Sequence, residues 1–269
     1  MTKTALVTGA ASGLGYELSV LLAKDNYDLI LVDIDATNLL KVKSLINNTY
    51  KCQVKIIVKD LSKPNVANEI INEISPVSID VLINNAGVGI TGPMEEIQAE
   101  AVVANFATNC FGPLQMAQAV LPQMRLQNAG LIINVTSIAG VMGLPFRGVY
   151  SASKSALSIM TESLRMEVKS FGIDVCTLAP GDYATDIALR RYHAPVVSNS
   201  PYQKIYQENL DTMDAHVDGG NPPQEIAVAI ADIIEKGNSK VHYQVGPFMQ
   251  KLSKTLKNIL PSRIFEKLI

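Results

Sequence analysis

Residues 4–15 read TALVTGAASGLG. A β-branched and apolar run, Thr4 to Thr8, stops at Gly9. From Gly13 the chain continues as GLGYELSVLLAKDN, with Leu14, Leu18, Leu21 and Leu22 at helical spacing. This reads as a buried strand, a glycine-rich turn and a helix. Glycines let the backbone approach a ligand closely, and a helix N-terminus supplies N–H donors and a positive dipole end, which together suit a pyrophosphate. The spacing G-x-x-x-G-x-G departs from the commoner dinucleotide pattern. Its placement, after the first strand and opening the first helix, therefore carries more weight than its letters. Thr8, Gly9, Ser12, Gly13, Leu14 and Gly15 form the candidate cradle.

Working outward, strands and helices alternate. DLILVDID (28–35), VKIIVKDLS (54–62), IDVLINNAG (79–87), GLIINVTS (130–137) and IDVCTLAP (173–180) read as strands. Residues 36–48, 64–75, 100–124, 148–171 and 222–236 read as helices, with Pro64 suited to a first turn. KVHYQVG (240–246) is a plausible last strand. Alternation with continuous apolar strands predicts a doubly wound parallel sheet of the Rossmann type, covered on both faces. Functional loops then lie at the carboxyl ends of the strands. Regularity falters over about 186–221, which reads as a helical substrate flap within one domain spanning 1–246.

The chain has 269 residues and a net charge of −2, so nothing points to a nucleic-acid binder. Cys52, Cys110 and Cys176 are scattered, as are His193, His216 and His242, so neither a metal site nor a disulfide framework is expected. Unclustered cysteines suit a reducing cytoplasm. With a first strand expected from Thr4, no secretory leader is expected, and no apolar run reaches the roughly 18 residues of a membrane span.

Four residues beyond the cradle carry chemistry. Asp33 ends the second strand, where an acid can accept both adenosine ribose hydroxyls and repel a 2′-phosphate. No Arg or Lys follows it directly, and Ser12 stands where a cation could bind that phosphate, so NAD is expected over NADP. The bland alternative is that Asp33 and Asp35 only polarise a turn. Tyr150 and Lys154 are four residues apart on one helical face, and Ser137 closes the fifth strand. A lysine beside a phenol stabilises the phenolate, and a serine hydroxyl can hold a substrate oxygen. A lone Tyr-x-x-x-Lys is usually a surface pair.

Taken together the residues resemble the short-chain dehydrogenase/reductase family over about residues 3–245. The motifs occur in order: TGAASGLG (8–15), Asp60, NNAG (84–87), Asn109, Ser137, Tyr150-Ser-Ala-Ser-Lys154, and Pro180–Gly181 with Thr185. The resemblance implies Tyr150 as general acid/base, Lys154 on the nicotinamide ribose and lowering the Tyr150 pKa, and Ser137 orienting the substrate oxygen. It implies Asn109 supporting a water, Asp60 and Leu61 at the adenine, and Asn85, Ala86 and Gly87 at the nicotinamide-side ribose. The loop of Pro180, Gly181, Tyr183 and Thr185 is implied to close over the nicotinamide. Asp182 stands where many relatives have an apolar residue. The implied activity is hydride transfer between a nicotinamide cofactor and a secondary alcohol or ketone. A catalytically silent NAD-binding regulator or a peripheral membrane interaction protein is the alternative, and a dimer or tetramer is expected.

The substrate walls are expected from residues 88–96, 138–147 and 186–216. Ile138, Val141, Met142, Leu144, Pro145 and Phe146 favour a hydrophobic, steroid-like or acyl-chain substrate. Arg147, Arg190 and Arg191 read first as solvated surface and second as an anion site at the entrance. The extension 247–269 is amphipathic: Phe248, Met249, Leu252, Leu256, Ile259 and Leu260 share a face opposite Lys251, Lys254 and Lys257. Pro261 should end or kink that helix, with a short second one expected to follow, carrying Ile264, Phe265 and Leu268. Packing on its own domain or a neighbouring subunit is preferred to lying on an anionic membrane surface.

Overall fold

The computed structural model describes residues 2–183, 191–195, 199–218, 221–237 and 240–268. The strands are β1 (Thr4–Thr8), β2 (Asp28–Asp33), β3 (Val54–Val58), β4 (Val81–Asn84), β5 (Ile90–Thr91), β6 (Gly130–Val135), β7 (Ile173–Pro180), β8 (Tyr192–His193) and β9 (His242–Val245). Seven form one sheet in the order β3-β2-β1-β4-β6-β7-β9, and every pairing in it is parallel. Winding runs outward from β1 through β2 to β3, then reverses from β4 through β6 to β9. The reversal puts a crevice beyond the carboxyl ends of β1 and β4, where ligands bind in sheets of this kind.

One face of the sheet is covered by α1 (Gly13–Lys24), α2 (Ala36–Thr49) and α8 (Gln224–Lys236). There Leu18, Leu22, Leu31, Leu39, Ile46 and Ile230 are wholly or almost wholly buried. The other face packs Leu6, Ile70, Leu82, Val120, Met124 and Ile132 under α3 (Val66–Ile74) and its neighbours. Each such side chain contributes about 1.5–3 kcal/mol by leaving water. The strands read as unbroken apolar runs because both faces are covered.

Two expectations from periodicity are corrected. The single helix expected over 100–124 is instead α4 (Ala99–Phe106), a wider π-type turn (Ala107–Phe111) and α5 (Gly112–Gln127). Pro64 lies outside the first turn of α3, because Asn65 before that helix adopts a left-handed backbone (φ 62°). The long helix α6 (Gly148–Val168) closes with a short 3-10 turn at 169–171.

The flap contributes α7 (Gln203–Asp218) and the two-residue strand β8, which pairs in parallel with β5 to form a second small sheet. That sheet was not legible, since two-residue strands carry no periodicity. The tail forms α9 (Phe248–Ile259) and α10 (Ser262–Phe265) around Pro261. It packs on the chain's own loop after β6: Phe265, Leu256 and Leu260 meet Ile138, Met142 and Ala179. The Lys257 ammonium donates to the Val141 carbonyl at 2.6 Å.

Candidate active site

The crevice at the switch point is a cavity of about 370 Å³ that runs from Asp33 past Gly9 and Gly87 to Tyr150. At its floor Gly9 has φ +67°, and a Cβ there would lie 2.8 Å from the Ala86 Cα. A Cβ at Gly15 would run into the Gly9 carbonyl. Both positions need glycine because β1, α1 and the loop after β4 converge on one point. Thr8 ties them together: its Oγ1 accepts from the backbone N–H of Asn85 and of Ala86, each at 3.0 Å. The Asn85 side chain donates back to the Thr8 and Gly9 carbonyls at 3.0 and 3.1 Å. Thr8 and Asn85 therefore act on the cradle's shape.

Gly9, Ser12, Gly13 and Leu14 line the cavity at the N-terminus of α1. Ser12 makes no side-chain cap, which leaves the first N–H groups of the helix open toward the cavity. Asp33 lines the far end. Its Oδ2 accepts from Ala11 N at 2.9 Å and its Oδ1 from Asp35 N at 3.0 Å. So Asp33 does brace the turn, and it also presents its carboxylate to the cavity. Asp60 and Leu61 line the same end, with Asp60 Oδ1 accepting from Ser62 N at 2.9 Å. Lys59, not singled out by sequence, lines it too, but its ammonium is paired with Glu69 at 2.5 Å. The converging backbone, the open helix end and the acid fit a dinucleotide.

At the other end, α6 brings Tyr150 and Lys154 to one buried face beside Ser137. The Lys154 ammonium donates to the Val135 carbonyl at 3.0 Å. Burial pushes its pKa down to about 8. Burial raises the Tyr150 phenol above its ordinary range. The Arg147 guanidinium, the Ser137 hydroxyl and Arg191 pull it back, while Asp182 adds to the rise.

Asn109 sits in the π-type turn, an element that often marks functional sites. Its Oδ1 accepts from Val88 N at 2.8 Å, and its Nδ2 donates to the Val88 carbonyl at 2.9 Å and meets Ser153 Oγ at 3.2 Å. The side chain thus fixes the loop after β4 against α6. Behind it, Asn84 donates to Asn134 Oδ1 and Asn134 to Thr161 Oγ1, each at 2.8 Å. That buried ladder locks β4, β6 and α6 in register, and single-residue motifs did not show it.

Pro180, Gly181 and Tyr183 line the cavity after β7, and Tyr183 is buried. Burial and Glu225 push the Tyr183 phenol up to about 12. Thr185 and Arg190 lie outside the described residues.

Two substrate-wall expectations change. Ile138 and Met142 do not line the cavity and pack with the tail, while the cavity that holds Tyr150 is lined by Arg147, Asp182, Arg191, Val88, Ile90 and Met213. Arg191 is not solvated surface: its side chain is buried to 8% exposure and pairs with Asp214 at 3.1 Å.

Comparison with known proteins agrees with this geometry. Residues 3–194 match the short chain dehydrogenase family. The chain is 34% identical to a 3-ketodihydrosphingosine reductase of Bacteroides thetaiotaomicron, over 97% of this chain and 94% of that one. It is 33% identical to the bovine (Bos taurus) retinol dehydrogenase 8, over 86% and 78%. Among solved structures, a short-chain dehydrogenase from Streptomyces avermitilis superposes with a TM-score of 0.82 at 25% identity, covering 100% of this chain and 97% of that one. The chain belongs to the short-chain dehydrogenase family. It is an NAD(P)-dependent oxidoreductase acting on CH–OH groups.

Proposed function

We propose that the protein interconverts a ketone and a secondary alcohol on a lipophilic molecule, with NAD preferred over NADP. The observation that carries the reaction is the convergence of Ser137, Tyr150 and Lys154 in the same cavity as the glycine-rich cradle and Asp33. When bound, the nicotinamide supplies or accepts the hydride. Tyr150 moves the proton at its phenol oxygen: as phenolate it takes the alcohol proton, and as phenol it donates to the forming alkoxide. General acid/base work of this kind contributes about 10²- to 10⁴-fold. Ser137 holds the substrate oxygen beside that phenol. Lys154, held by the Val135 carbonyl, keeps positive charge behind the proton-transfer step. Asn109 keeps the loop at Val88 in place.

Asp33 supports the cofactor preference, because its carboxylate lies where a 2′-phosphate would be repelled and Lys59 is neutralised by Glu69. Lipophilic substrates are supported by Val88, Ile90 and Met213 in the cavity wall and by two relatives named for a long-chain ketone and for retinol. The three unpaired thiols suit a reducing cytoplasm. Exposed Val103, Phe111, Ile159 and Met166 on the α4 to α6 region suit assembly into a dimer or tetramer.

The test is a screen that follows NADH or NADPH absorbance with 3-ketodihydrosphingosine, retinal and simple aliphatic ketones, and with the matching alcohols. Turnover of a lipophilic member with NAD(H) is expected. Tight cofactor binding with no turnover across the panel would favour a silent regulator.

A further inference from the structure

We propose that Arg147 is a second cation of the acid–base machinery, a positioning residue that holds positive charge against the Tyr150 ring and favours its phenolate. This rests on Tyr150 being the proton-transfer group. Arg147 stands one turn before Tyr150, at the N-terminus of α6, with its guanidinium carbon 5.6 Å from the phenol ring centroid. A cation over an aromatic face is attracted to it, and the attraction grows when the ring carries negative charge. No carboxylate pairs with Arg147 among the described residues, whereas Arg191 in the same cavity is paired with Asp214. Among the described residues Arg147 thus has no ion-pair partner, and it lines the cavity together with Tyr150.

The turn that aims Arg147 is built at a cost. Phe146, the residue before it, has φ +58°, a left-handed conformation that a bulky side chain rarely adopts. Three contacts hold it there. The Phe146 carbonyl accepts from Gly92 N at 2.9 Å and from Thr91 Oγ1 at 3.0 Å. Its ring packs against Tyr206 of the flap helix α7, with centroids 5.3 Å apart. Strain that the surroundings over-determine tends to sit where a neighbouring group must be placed accurately. Here the placed group is the guanidinium.

Among the described residues, the charged and polar groups around Tyr150 are few. Arg147 and Lys154 come from α6, Ser137 from the loop after β6, Asp182 from the loop after β7, and Arg191 from the segment before β8. Arg147 is foremost among the groups that draw the phenol down against burial, and Asp182 opposes it. Lys154, held on the Val135 carbonyl, serves the site from behind. Of the two cations, Arg147 is the one that stands over the phenol ring.

The test needs no substrate. Tyr150 is replaced by 3,5-difluorotyrosine, whose more acidic phenol titrates where the fold is stable, and its ¹⁹F shift is followed against pH. Arg147→Gln is expected to raise the midpoint by on the order of tenfold in proton affinity. Arg147→Lys should recover most of that change, since charge is retained while the planar stack is lost. A midpoint that does not move in a folded Arg147→Gln protein, checked by thermal melting, overturns the proposal. Should Arg147→Gln fail to fold, Arg147→Lys and Arg147→Met are compared: equal midpoints in those two overturn it equally. Because the readout is the phenol itself, its failure is distinct from failure of the redox reading, which turnover tests.

Discussion

Gln250 of α9 clasps Asp182 at both ends of its amide. Its Oε1 accepts from the Asp182 backbone N–H at 2.9 Å, and its Nε2 donates to Asp182 Oδ2 at 2.8 Å. The tail therefore reaches Asp182, which lines the cavity just after Pro180–Gly181, and holds it at two points. Even Gly181 is part of the fit, since a Cβ there would strike the Gln250 amide oxygen. Asp182, polar where an apolar residue was the expectation, has a partner in this clasp.

Removing the clasp should loosen the loop without touching the chemistry. Gln250→Ala is expected to weaken NADH binding about fivefold to tenfold, in line with the net worth of about 1 kcal/mol of a typical hydrogen bond. Calorimetric titration checks it. Unchanged affinity would mean that the loop is ordered without the tail.

Cofactor choice rests on Asp33. The wild type is expected to bind NADH more tightly than NADPH, and Ser12→Arg with Asp33→Asn should narrow or reverse the preference. Asn is the better replacement than Ala because Asp33 also accepts from the Ala11 and Asp35 amides. Titration of both proteins with both cofactors decides it. Equal or tighter NADPH binding by the wild type would remove the argument.

Much of this was legible in the sequence. The parallel sheet announced itself because strands covered on both faces read as unbroken apolar runs, and the cradle, Ser137, Tyr150 and Lys154 fell at strand ends and on one helical face. What escaped depended on long-range pairing. The π-type turn at Asn109 looks like continuous helix, because one extra residue in a turn barely disturbs periodicity. The apolar stretch Ile138–Met142 gave no sign that the tail, more than a hundred residues later, would cover it. Arg147 and Arg191 looked alike on the page. Only folding pairs one with Asp214 and lays the other over the Tyr150 ring.

Burying Lys154 has a pH signature. Its folded pKa, about 8, lies below its ordinary 10.5. Below pH 8 both folded and unfolded chains hold the proton, and the fold bears the whole cost of burying the charge. Between about 8 and 10.5 the unfolded chain binds more protons than the folded one, so this group's contribution to stability improves as pH rises. Lys154→Met should accordingly melt higher than the wild type at pH 7, and the gap should shrink toward pH 10. Melting curves of the cofactor-free proteins test this; a gap that stays constant across that range would contradict it.

The central claim is that Tyr150 moves the proton in a nicotinamide-dependent oxidation or reduction. The most direct measurement compares wild type and Tyr150→Phe in the absorbance assay, on the first ketone or alcohol found to turn over, alongside NADH affinity. The ring is retained and only the transferable proton is lost, so turnover should fall by about 10²-fold or more while NADH affinity stays within about twofold. A Phe variant that keeps more than about a tenth of the wild-type rate would contradict the account.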